Sequence, residues 1–253
     1  IDYYFSRWTE ILSDLGDEYS DQERFFRQNY NAFRKKLNAP FLKGDRQYPL
    51  GTIATRSTML DIYEKIITKD PVAALDELTE NAAIYAGIIL NKTDTLSDEQ
   101  RESYLDLQRV QGAPSYLFIM YLIKHQESLG VTDEDVVKIC KLLVNFFIRR
   151  NLTDTPPTRD LTRIFMSFIE ATEQNEYRGA DIYTNMRDTL ISVSASDEFF
   201  EEKLRGPVYD DNSGATRFIL CMMAKRGMTR ENVQDLWRKT NSNQYVWSIE
   251  HIF

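Results

Sequence analysis

The sequence predicts an all-α protein, a multi-helix bundle-like array with one short C-terminal strand. Three observations predict it. Glycine (10) and proline (7) are sparse among 253 residues, which favours long helices over turn-rich β folds. Helix-start signals recur just before runs whose apolar residues follow helical spacing. Residues 116–123 are apolar on every side, the mark of a buried central helix.

The elements follow in order. Ser20-Asp21-Gln22-Glu23 reads as a capping box, and Phe25, Phe26, Tyr30, Phe33 and Leu37 continue it at helical spacing. Residues 38–51 hold Pro40, Gly44, Pro49 and Gly51 and read as a loop. The period resumes over 55–69 through Met59, Ile62, Tyr63 and Ile66. Pro71 suits the first turn of the next helix, 72–90, because its missing N–H costs nothing there. Ser97-Asp98-Glu99-Gln100 is a second capping box, opening a helix to about residue 110.

Gly112-Ala113-Pro114 breaks the chain before the all-apolar helix, which Gly130 ends. Thr132-Asp133-Glu134-Asp135 starts a helix that runs to Arg150. Residues 153–158, with Pro156-Pro157, read as loop, and 160–172 as a helix with Leu161, Ile164, Phe165 and Phe168 on one face. Shorter helices are expected over 182–192 and 198–204, loop at 206–207 and 210–214, and helices over 215–226 and 229–236. Only 244–253 reads as strand. The expectation is about ten helices and no sheet before residue 240.

Charge and composition exclude several classes. The net charge is −8 and the pI near 5.0, which argues against a large nonspecific DNA-binding face. Residues 70–106 carry nine acids against two bases, and the plainer account is a solvated helix face. Cys140 and Cys221 sit in apolar helical runs without metal-ligand spacing. They read as buried free thiols in a reducing, cytoplasmic setting. No apolar run reaches the roughly 18 residues of a membrane span.

Within residues 1–240 no catalytic motif stands out. His125 lies in Lys124-His125-Gln126-Glu127 without a ligand-spaced partner, so a surface or capping role is expected. Phosphate-binding glycine loops and nucleophile elbows are missing. Arg149-Arg150 ends an apolar helix. Two readings stay open: dipole compensation with ion pairing, or an internal clamp or phosphate contact.

Three segments together resemble one family, the GmrSD-type modification-dependent (type IV) restriction endonucleases. The first joins Phe146-Phe147-Ile148-Arg149-Arg150-Asn151-Leu152 to Thr155-Pro156-Pro157-Thr158 and Leu161-Thr162-Arg163-Ile164-Phe165. The second is Asn212-Ser213-Gly214-Ala215-Thr216-Arg217-Phe218-Ile219-Leu220. The third is Tyr245-Val246-Trp247-Ser248-Ile249-Glu250-His251-Ile252-Phe253. It is similar to the strand that opens an HNH (His-Me finger) nuclease, where an acid and a histidine follow an apolar strand.

The resemblance covers roughly residues 55–253. It implies a helical linker and scaffold over 1–240, the start of a truncated nuclease domain over 241–253, and a nucleotide-hydrolysing domain of ParB/sulfiredoxin-like fold ahead of Ile1. It implies His251 as general base, Glu250 as ligand of a divalent metal such as Mg, and DNA as substrate of the longer phage-defence enzyme. The proline, asparagine and second histidine or asparagine of the motif are absent. The chain alone is therefore expected to be inactive and to bind DNA weakly. A regular strand would aim Glu250 and His251 at opposite faces, so His251 is the firmer assignment. The alternative is a stand-alone helical module that binds a protein partner through an apolar groove.

Overall fold

The computed structural model describes residues 2–90, 95–229 and 234–249. Among them are thirteen α-helices, one short 3-10 turn and no strand. The all-α expectation holds.

The chain opens with a helix for which no start signal was read, α1 (Asp2–Leu15). It lies against α4 (Pro71–Leu90) and buries Ile11 and Leu15. The second helix, α2 (Tyr19–Asn38), corrects an expectation. It begins at Tyr19 after an N-cap at Glu18, so Ser20 lies inside the first turn and caps nothing. Glu23 turns inward instead, bridging Arg27 one turn on and Arg56 at 3.0 Å. The helix bends at Phe33, whose backbone leaves helical geometry. Next, α3 (Met59–Lys69) starts later than its apolar period, because residues 55–58 form a turn closed by the Thr55 and Thr58 hydroxyls. Pro71 is the first residue of α4, and the Asp70 carboxylate accepts from the Ala73 N–H.

The box at Ser97 is present and opens α5 (Asp98–Arg109). Gly112 is fixed by crowding, since a Cβ there would lie 2.4 Å from Leu107. After it comes α6 (Tyr116–Lys124), which buries every residue from Tyr116 to Leu122. It packs against α2, α4, α8 (Asp133–Thr153) and α9 (Thr158–Gln174), so it is the axis of the body. A single further turn, α7 (Gln126–Leu129), ends at Gly130 with φ +60°. Thr132 and Asp135 cap α8 reciprocally.

The rest of the chain forms α10 (Ala180–Val193), α11 (Asp197–Leu204), α12 (Val208–Asp211) and α13 (Ser213–Arg226). The single turn α12 replaces the loop expected from residue 210. Among residues 234–249 the expected strand is reduced to one antiparallel bridge, Lys239 to Tyr245. Its turn is closed by Thr240 N–H to Gln244 and Val246 N–H to Arg238. An isolated pair of short extended segments lacks the neighbours that stabilise a sheet. Residues 234–236 are not helical, and 230–233 lie outside the described residues. No helix among the described residues is long and apolar enough to cross a membrane.

Candidate functional site

The candidate site forms where α5, α8 and α13 end near one another. Asn151, in the last turn of α8, donates to the Val110 carbonyl just past α5 (2.8 Å). Its own carbonyl accepts from the side chain of Asn212 (3.2 Å). The Asn212 carbonyl Oδ1 in turn accepts from the Ala215 N–H and so caps α13. Two asparagines therefore link three helix ends in series. On the next turn of α13, Arg217 lies 3.9 Å from the centre of the Tyr245 ring and donates to the Trp247 carbonyl (2.8 Å).

Residues 237–247 are held to this face by cation–π contacts more than by burial. Arg109 of α5 stands over the Trp237 ring at 4.8 Å, while Lys239 over Tyr245 at 5.0 Å closes the segment on itself. Trp237 also packs on Phe218 of α13 and edge-on to Tyr245. A polar cavity of about 550 Å³ opens between this segment and the start of α13.

Arg149 and Arg150 act as an internal clamp. Arg149 donates to the Ala195 carbonyl (2.9 Å), pairs with Asp197 (2.5 Å) and stacks over Phe200, fastening α8 to the start of α11. Arg150 donates to the Pro156 carbonyl (3.1 Å) and the Thr158 hydroxyl (2.5 Å), fastening α8 to the start of α9. With their donors so committed, neither presents a free guanidinium fork for phosphate.

A buried polar network crosses the opposite end of the body. Lys124, its side chain 7% exposed, donates to Glu77 (2.8 Å), Glu80 (3.0 Å) and Asn81 (2.6 Å). Asn81 donates to Asn29, Asn29 to the Tyr63 hydroxyl, and Tyr63 to the Phe26 carbonyl. Burial raises the pKa of Glu77, but hydrogen bonds from Lys124 and Lys36 outweigh it and hold the carboxylate below its ordinary range. His125 ends α6 half-buried against Tyr121 and Phe33. Burial, then the charges of Lys124 and Lys36, lower its pKa, which favours the neutral ring.

Cys140 and Cys221 are buried free thiols. Burial pushes the Cys140 thiol up to about 12 and raises that of Cys221, so neither is a ready nucleophile. Among the described residues, no group of three or more His, Cys, Asp and Glu could hold a metal ion. Glu250 and His251 lie outside the described residues.

Sequence reasoning missed Lys124 and Arg217. It also missed Asn29 and Asn81, which lie fifty-two positions apart and bond each other inside the body. No family model matches the chain, and no curated protein and no solved structure matches it.

Proposed function

We propose that this chain is the helical scaffold of a DNA-cleaving endonuclease of the GmrSD type. In this reading it connects a nucleotide-hydrolysing domain to an HNH nuclease, and it is inactive alone. The observation that supports the reading is convergence. Asn212 of the second resembling segment bonds Asn151 of the first, and Arg217 of the second holds Tyr245 and Trp247 of the third. Segments about sixty and thirty residues apart thus form one contact chain that ends just before Glu250-His251.

On this reading His251 takes the proton from the attacking water, since an imidazole titrates near working pH. Glu250 would hold the divalent ion. When bound, that ion would offset charge on the scissile phosphate. The acidic balance leaves DNA contact to the other domains.

The test is DNA cleavage by a longer gene product carrying both flanking domains. His251→Ala should lower the rate by about two to four orders of magnitude with the fold intact. A variant that cuts at near wild-type rate would remove His251 from the mechanism. The 253-residue chain itself should neither cleave DNA nor hydrolyse nucleotides, and its DNA binding should be weak and salt-sensitive.

A second reading, a helical module that binds a protein partner, is favoured by one observation. An apolar groove of about 1010 Å³ lies among α5, α8 and α13.

A further inference from the structure

We propose that the groove among α5, α8 and α13 docks an amphipathic helix of a partner protein, with basic residues along the flank that meets α5. The inference holds whether or not the chain belongs to a nuclease.

The walls have the register of a helical bundle with one position open. From α5 come Asp98, Glu99, Glu102, Ser103 and Asp106, at spacings 0, 1, 4, 5 and 8. From α13 come Phe218, Ile219, Met222, Met223 and Arg226, at the same spacings. The floor is Lys141, Val144, Asn145, Ile148 and Arg149 of α8, of which Lys141 and Asn145 are exposed and Val144 is buried, with Phe200 of α11 beside Arg149. All three rows span eight residues, roughly 12 Å of helix. On the groove side α13 is tied at its ends, Asn212 to Asn151 at the start and Lys225 to Glu102 (2.5 Å) at the finish, while Arg217 and Phe218 between them contact Tyr245, Trp247 and Trp237. A helix entering such a space would meet residues at the i, i+4, i+7 spacing of its own apolar face.

The lining defines the occupant. Ile148, Ile219 and Met222 are half-buried, and Met223 is 63% exposed. Paired methionines suit an apolar helix face, because their unbranched chains repack around it. The α5 row carries four carboxylates and no base; Arg109 and Lys225 already meet Glu102 and Asp106, so Asp98 and Glu99 at the start of the row are the ones that face a basic flank, while the bases Lys141, Arg149 and Arg226 belong to the other rows. Among the described residues Glu99 pairs with the exposed Lys141, and pairs of that kind are weak. A lysine or arginine on the incoming helix can take its place.

The test is fluorescence anisotropy with the 253-residue chain and two labelled synthetic peptides of about fourteen residues. Both carry leucines at i, i+4, i+7 and i+11. One carries lysines along a single flank, and the other carries glutamates there. The lysine peptide should bind, and the glutamate peptide should bind at least about tenfold more weakly. Met223→Glu, with an unchanged circular dichroism spectrum, should weaken the lysine peptide by about tenfold, and Glu99→Lys should narrow the preference between the peptides. The proposal is overturned by no binding, by equal binding of both peptides, or by Met223→Glu leaving affinity unchanged. It is also overturned if sedimentation shows a wild-type dimer that Met223→Glu makes monomeric, since the occupant is then a second copy.

Discussion

Seven consecutive residues of α6 are buried, whereas the fourteen residues of α13 bury only Ala215, Thr216, Phe218 and Cys221. The two regions also treat charge differently. Beside α6, Lys124 is enclosed and donates to Glu77, Glu80 and Asn81. Beside α13, the charges lie nearer the surface, Arg217 on the Tyr245 ring and Lys225 against Glu102. Burial of apolar area at roughly 25 cal/mol per Å² makes the first region the source of stability. Exposed cation–π contacts are each worth only about 0.5–1 kcal/mol. The second region can therefore open while the first stays folded, as expected for an element that presents or releases a segment.

Lys124→Ala should cost about 3 kcal/mol in urea unfolding, the low end for a broken buried pair, because Glu77 keeps only the exposed Lys36 and Asn81 loses its charged donor. The pair Lys124→Met with Glu77→Gln should cost less than that single change; a cost under about 1 kcal/mol for the single change would deny the network its role. Arg150→Ala should cost about 1.5–3 kcal/mol, since the Pro156 carbonyl and Thr158 hydroxyl lose a charged donor. Trp237→Ala should lower global stability by no more than about 1 kcal/mol while hydrogen exchange at Val246 quickens.

The smallest effect is with pH. Both Glu77 and His125 have folded pKa values below their ordinary ones. Each contributes stability above its unfolded pKa and loses it as pH falls through its folded pKa. Stability should therefore fall on acidification, first through His125 from about pH 6.5 downward, then through Glu77 below about 4.5. His125→Gln should flatten the upper limb, and Glu77→Gln the lower one, in pH-dependent thermal melts.

Much of the helical body was legible because caps and apolar periods are local. Ser97, Thr132, Pro71 and Gly130 each act where their neighbours indicate. The capping box at Ser20 misled for the same reason. Its local pattern was correct, but the helix starts at Tyr19 after Glu18, and Glu23 pairs with Arg27 and Arg56 instead. The polar network and the Arg217–Tyr245 contact were not legible. They join residues thirty to fifty positions or so apart, and sequence spacing carries no such pairing. Arg149-Arg150 was visible as a feature, and the fold combines two of its readings: each arginine pairs with a carboxylate, Asp197 or Asp154, and also clamps a neighbouring segment.

The two cysteines report on the two regions directly. Cys140 lies in α8 within the core, and Cys221 lies in α13. Native-state labelling with a thiol reagent across low denaturant, referenced to the unfolded chain, gives an opening free energy at each. The account predicts that Cys221 labels first, through an opening below the global free energy and with weak denaturant dependence. Cys140 should label only with global unfolding. Equal opening free energies and equal denaturant dependence at both thiols would contradict it.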